Sequence, residues 1–132
     1  RVLFRSDVKT AVHMGAVRIG HGVRIAGNKE VIQLVKDKGV FLEMCPTSNR
    51  QTKAMEEMSA YPLKAFLEMG LKVTLNTDDP AIERTTLSRE FRYMESLLDL
   101  TQEQKRLLLL NSVEAAFTSR NRKWKLKEQL LF

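Results

Sequence analysis

A single cysteine, Cys45, stands in the 132 residues of the chain. It can close no internal disulfide, and no second cysteine is present to give the paired spacing of a structural zinc site. The thiol reads most simply as a small buried hydrophobe. No apolar run approaches the roughly 20 residues needed to cross a bilayer. The first residues lack the basic, apolar and small-residue zones of a secretory leader, so the expected location is the cytoplasm. Internal repeats and low-complexity tracts are also missing. What is present, 43% hydrophobic and 29% charged residues, is the balance of one globular domain.

The formal charge is +6. Much of it is local: Arg120, Arg122, Lys123, Lys125 and Lys127 crowd the end of the chain around Trp124. Clustered cations draw phosphate, yet the body of the chain mixes both signs. A solvated basic helix face is therefore expected at the C-terminal end, and nucleic acid is not an expected partner.

Along the chain, strand-like and helix-like stretches alternate. Val17 to Ile19 is a short β-branched run bounded by Gly15 and Gly20. Asn28 stands where it caps a helix through about Lys38, with Val31, Ile32, Leu34 and Val35 on one face, and Gly39 stops it. Val40 to Met44 reads as a buried strand closed by Cys45 and Pro46. A loop rich in Thr, Ser, Asn and Gln is expected next, then a helix from about Pro62 to Met69 and a third strand from Lys72 to Asn76. Strand, helix, strand, helix, strand with short connections is the signature of right-handed parallel crossovers. The remainder is expected to be helical, with Leu87, Phe91, Met94 and Leu98 on one stripe and Leu107, Leu110, Val113 and Phe117 on another. Thr101 and Gln104 have the spacing of a capping box that opens the second of these helices. A last short helix is expected over Lys123 to Leu130.

Each strand ends in a polar cluster: RIGHG (Arg18 to Gly22), EMCPTSN (Glu43 to Asn49) and NTDDP (Asn76 to Pro80). In parallel α/β folds the C-terminal ends of the strands form one mouth, where ligands bind. The adjacent carboxylates of Asp78 and Asp79 cannot aim the same way if strand geometry persists, so they would serve different tasks. Two carboxylates this close repel, and a bound divalent metal relieves that repulsion with one as ligand and the other free to meet substrate. A plain Asp-Asp-Pro turn stands open beside that reading. His21 lies between two glycines that clear space around an imidazole at a strand end, with a merely structural histidine as the alternative. His13 falls on the helix before the first strand and is assigned no role.

Taken together, RIGHGV, LEMCPTSN with QT shortly after, VTLNTDDP and TTLSREF resemble the adenosine deaminase family of zinc hydrolases, over about Val8 to Phe117. The PTSN form resembles the bacterial-type adenosine deaminases more than the AMP-specific branch. The resemblance implies an α/β fold that is the C-terminal portion of a (β/α)₈ TIM barrel, about three of its eight strands, followed by C-terminal helices. It implies Asp78 as a zinc ligand, Asp79 as a hydrogen-bond partner of the purine ring, and His21 as the catalytic histidine that stabilises the attacking hydroxide. Zinc, one ion in the full-length parent, lowers the pKa of its water towards about 7 for attack on the carbon bearing the exocyclic amine. The implied reaction is deamination of adenosine or deoxyadenosine to inosine and ammonia in purine salvage, with a small purine nucleoside as the partner. Adenine or another aminopurine is the alternative substrate, and a non-catalytic interaction module the alternative class.

The family pattern also calls for a His-x-His pair, a further zinc-binding histidine and a glutamate proton shuttle, none of which is found in these residues. Zinc is accordingly not expected to be held by this segment alone, since a catalytic zinc takes about three protein ligands. The opening RVLFRS looks foreign to the family and matches one reading frame of a common short-read sequencing adapter. Residues 1–6 are therefore expected to be a scar, with 7–132 the barrel segment; without Arg1 and Arg5 the charge falls from +6 to +4. Open strand edges and an apolar barrel interior should make the isolated chain aggregate. The purified 132-residue chain is expected to be poorly soluble and not to deaminate adenosine; zinc-dependent turnover by it overturns that expectation.

Overall fold

A computed structural model describes residues 5–130. The element order is α1 (Arg5–His13), β1 (Arg18–Gly20), a 3₁₀ turn at Val23–Ile25, α2 (Lys29–Asp37), β2 (Phe41–Met44) and α3 (Pro46–Gln51). A 3₁₀ turn at Met58–Ala60, α4 (Leu63–Glu68), β3 (Lys72–Leu75), α5 (Pro80–Glu83), α6 (Leu87–Leu98), α7 (Gln102–Ala115) and α8 (Arg120–Leu130) follow. The three strands form one parallel sheet in the order β1-β2-β3. This is the alternating architecture that the strand and helix spacing predicts. Residues 1–4 of the segment read as a scar lie outside the described residues, whereas Arg5 and Ser6 form the first turn of α1. Arg5 Nε donates to Arg24 O at 2.7 Å.

Local chemistry explains most boundaries. Asn28 Oδ1 accepts from Val31 N at 3.1 Å, so the side chain takes one of the donors that the first turn of α2 leaves free. At α7 the capping box closes in both directions, Gln104 N to Thr101 Oγ1 at 3.1 Å and Thr101 N to Gln104 Oε1 at 3.0 Å. No helix among the described residues is long and apolar enough to cross a membrane.

The registers Ile19↔Leu42↔Val73 and Gly20↔Glu43↔Thr74 assign each strand residue to a face. One face carries Ile19, Leu42, Met44, Val73 and Leu75, none more than 2% exposed. Val31 and Val35 of α2, and Leu63, Phe66 and Leu67 of α4, share its core cluster. The other face carries Arg18, Phe41, Glu43, Lys72 and Thr74. There Arg18 Nε pairs with Glu43 Oε1 at 3.3 Å, and Lys72 Nζ lies 5.1 Å from the Phe41 ring centre. This second face is thus largely polar and charge-paired around Phe41.

Further expectations change. The stretch after Cys45, read as a loop, folds as α3 with Pro46 in its first turn. Along α7, Leu107 is 42% exposed and Phe117 beyond it 77%, while Leu108 is fully buried and Ala115 nearly so. A run of four leucines from Leu107 to Leu110 offers apolar side chains in every direction, so periodicity cannot choose the face. Asn111 does choose it. Its Nδ2 donates at 2.8 Å to Val73 O, a carbonyl that the parallel ladder turns away from β2. Pinned there, α7 drives Leu108 inward. On α6, likewise, Met94 is buried and Leu87 is 46% exposed. α8 starts at Arg120, ahead of the expected Lys123, and has no buried residue, as a solvated basic helix should.

Leu108→Ala should cost about 2–5 kcal/mol and Leu107→Ala less than about 1, read from urea denaturation; equal costs would restore the Leu107 stripe.

Candidate active site

Three strand ends meet, as the polar clusters predict. His21 follows β1, α3 follows β2, and Asp78 follows β3. His21 continues the sheet by donating its backbone N–H to Glu43 O at 2.8 Å, then turns sharply: His21 has φ 64° and Gly22 φ 74°. A left-handed conformation costs a non-glycine residue about 1 kcal/mol, and here it swings the imidazole across the mouth. The flanking glycines do not act as the sequence suggests. A Cβ on Gly20 would meet nothing within 4 Å, and one on Gly22 would lie 2.8 Å from Leu42 Cδ2. Gly22 is thus required by the turn and by its packing on Leu42, rather than by room for the ring.

The His21 side chain is only 13% exposed, and its Nε2 faces Asp78 Oδ2 at 3.6 Å. The same carboxylate oxygen accepts from Ser48 Oγ at 2.8 Å. On the other side of the ring, His21 Nδ1 lies 3.2 Å from Asn49 Nδ2. Asn49 is completely buried and its Oδ1 accepts from Tyr61 OH at 2.7 Å. Burial, joined by the fields of Cys45, Glu90 and Tyr93, pushes the Tyr61 phenol well above its ordinary range, so it remains an O–H donor. Ser48, Asn49 and Tyr61 carry no role in the sequence reading, although Ser48 and Asn49 lie within its PTSN motif. Tyr61 shows no signal of its own there.

The two aspartates part company. Asp78 turns to His21 and Ser48, whereas Asp79 caps α5, its Oδ1 accepting from Ile82 N at 3.1 Å. Both side chains are solvent-exposed at the mouth. The pair thus supplies a helix cap at Asp79 and a carboxylate directed at His21 and Ser48 at Asp78.

Behind this mouth lies Glu90 of α6, 1% exposed. Its Oε2 accepts from Thr47 N at 3.1 Å and its Oε1 from Thr85 Oγ1 at 2.6 Å. Cys45, at the N-cap position of α3, makes no side-chain cap. Glu90 fills that function from a distant helix, giving a free N–H at the positive end of α3 a negative acceptor. Burial, followed by the carboxylates of Asp78, Glu83, Glu90 and Glu43, raises the Cys45 thiol to about 12. Cys45 is thereby kept as an unreactive thiol, in keeping with its reading as a buried hydrophobe.

The negative field at the mouth and the exposed Asp78 oxygen suit a hard cation. His21 and Asp78 bring an imidazole nitrogen and a carboxylate oxygen together, but among the described residues no three histidine, cysteine, aspartate or glutamate side chains cluster as a metal site. Asp78 thus offers one carboxylate oxygen that a metal ion could take, and one such donor does not make a metal site by itself.

Glu90→Ala leaves Thr47 N and the Thr85 hydroxyl without their acceptor and should cost about 2–4 kcal/mol in urea denaturation; a loss within about 0.5 kcal/mol would show that water or another group replaces it.

Comparison with known proteins bears on the whole chain. The family model for adenosine deaminase matches residues 5–131. An adenosine deaminase of Clostridium botulinum (strain Okra / Type B1) is 45% identical over 114 residues, 86% of this chain and 34% of that protein. Among solved structures, an adenine deaminase from Arthrobacter aurescens superposes with a TM-score of 0.92 at 28% identity, covering 98% of this chain and 40% of its own. An amidohydrolase from Burkholderia ambifaria with bound Zn superposes with a TM-score of 0.86 at 22% identity, covering 98% of this chain and 36% of its own. The chain thus spans about a third of the length of the curated relatives it matches, and its sheet and helices are the C-terminal portion of the barrel fold. By its family match across nearly every residue, the chain belongs to the adenosine deaminase family.

Proposed function

We propose that this chain is the C-terminal part of a zinc-dependent aminohydrolase that converts adenosine, and deoxyadenosine, to inosine and ammonia in purine salvage. The activity belongs to a longer polypeptide that supplies the remaining zinc ligands and the proton-shuttling glutamate. One observation carries the reading: β1 and β3, the outer strands of the sheet, deliver His21 and Asp78 to within 3.6 Å of each other, with Ser48 orienting the carboxylate. In this reading Asp78 is the zinc ligand. Asp79, its carboxylate steadied by the cap it makes on α5, accepts a hydrogen bond from the purine ring. His21 presents its Nε2 edge to the atoms that gain charge during attack. Bound zinc supplies the Lewis acidity that activates the attacking water.

Adenosine is preferred over adenine because the 45% identical relative is an adenosine deaminase, whereas the adenine deaminase is 28% identical. The 0.92 superposition keeps adenine as the second reading. A protein- or nucleic-acid-binding module is the weakest reading, resting only on the exposed basic face of α8.

The test is turnover and zinc content of the full-length polypeptide. Asp78→Ala should lower zinc affinity at least about tenfold and abolish turnover. His21→Ala should keep zinc and lower kcat about 10²- to 10³-fold. Asp79→Ala should keep zinc and lower kcat/KM by a factor of about 10². Faster turnover of adenine than of adenosine overturns the nucleoside assignment, and zinc retained by Asp78→Ala overturns the ligand assignment.

A further inference from the structure

The ring of His21 is held between two groups that specify opposite things at its two nitrogens. On the buried side, Asn49 presents an amide whose orientation is set by its other neighbour. Tyr61 OH lies 2.7 Å from Asn49 Oδ1, and the Tyr61 side chain is almost wholly buried. A phenol held in its protonated form donates, so the amide oxygen belongs on the Tyr61 side and the NH₂ on the His21 side. A flipped amide would point two hydrogens at the phenol and leave its proton without that acceptor, a cost of about 1–3 kcal/mol for a buried donor. The amide N–H can then bond to His21 only if Nδ1 offers a lone pair, and the 3.2 Å separation is that of such a bond. On the exposed side, Nε2 faces a carboxylate oxygen, Asp78 Oδ2, which repels a lone pair and attracts an N–H.

We infer that Asn49 and Tyr61 are positioning residues that hold the neutral imidazole of His21 as a single tautomer, with Nδ1 bare towards Asn49 and Nε2–H pointed into the mouth. His21 at rest is then a hydrogen-bond donor to the reacting region and has no lone pair at Nε2 with which to take a proton. Within the proposed deaminase, on which this functional meaning rests, that makes His21 an electrostatic partner of the developing oxyanion and assigns base chemistry to another group. A backbone consequence agrees with this. Asn49 is fixed on its main chain too, its carbonyl accepting from Ala54 N at 2.9 Å and Met55 N at 3.2 Å, so the amide is carried on a rigid turn.

The tautomer is read directly. The full-length polypeptide, freed of metal, is labelled with ¹⁵N at its histidines, the His13 and His21 signals are assigned by their loss in His13→Gln and His21→Gln, and two-bond ¹H–¹⁵N correlation spectra are recorded well above the unperturbed histidine pKa of about 6.5. The expected result is a pyridine-type shift at His21 Nδ1 and a pyrrole-type shift at Nε2, with exposed His13 giving the averaged pattern of a free imidazole. In Asn49→Asp the carboxylate can only accept, so Nδ1 should gain a proton and lose its pyridine-type shift, while Nε2, still facing Asp78, keeps its pyrrole-type shift. In Tyr61→Phe the amide loses the partner that orients it, and the two shifts should converge towards those of His13. The inference is overturned if wild-type His21 carries its proton on Nδ1, if its shifts match those of His13, or if both variants leave the pattern unchanged. The spectrum requires neither zinc nor substrate, so failure of the deaminase reading shows in the turnover assay and failure of this one in the ¹⁵N shifts.

Discussion

Two oxygens of one buried carboxylate tie the ends of β2 and β3 together. Glu90 accepts from Thr47 N with one oxygen and from Thr85 Oγ1 with the other. The first bond starts α3, which has no cap of its own, and α3 carries Ser48 and Asn49. The second anchors the segment that returns from Asp78 and Asp79 to α6. Ser48 then reaches Asp78, and Asn49 reaches His21. A carboxylate buried without these donors would be costly; with both of them, it becomes a two-pronged clamp. The mouth is therefore braced from behind by an interaction that never touches it.

The polar order inside the mouth runs from dry to wet. Tyr61 and Asn49 are buried, His21 is mostly so, and Asp78 and Asp79 are open to solvent. Hydrogen bonds deep in the protein act in a low dielectric and hold their geometry, whereas the exposed carboxylates remain available to a cation or a ligand. Cys45 belongs to the dry end, where burial and surrounding carboxylates suppress its thiolate. A chain with one thiol beside its site thus avoids a competing soft ligand.

Much of this was legible in the residues. Val17 to Ile19, Val40 to Met44 and Lys72 to Asn76 stand within one residue of the observed strands because short apolar runs bounded by Gly and Pro leave few choices. The caps at Asn28 and Thr101 are local and were legible for the same reason. What the sequence concealed is non-local. α3 looks like a loop because its N-terminal acceptor, Glu90, lies far along the chain. The buried face of α7 is set by Asn111 on Val73 O, a polar contact that no apolar periodicity reports. In the site, motif spacing picked out His21, Asp78 and Asp79, and the structure brings the first two together. Tyr61 and Glu90 stayed hidden because a buried hydroxyl or carboxylate reveals its purpose only through its partners.

Strand β2 lies between the other two and pairs with both. Neither β1 nor β3 touches the other's ladder, yet His21 extends one and Asp78 follows the other, so the distance between them is measured off along β2. A step of one residue in either ladder would shift a partner by about 3.3 Å and send its side chain to the opposite face. β2 acts as a ruler whose graduations are Phe41, Leu42, Glu43 and Met44, and the bond from His21 N to Glu43 O sets its zero. The spacing of the chemistry is thus written in a strand that supplies none of the chemical groups.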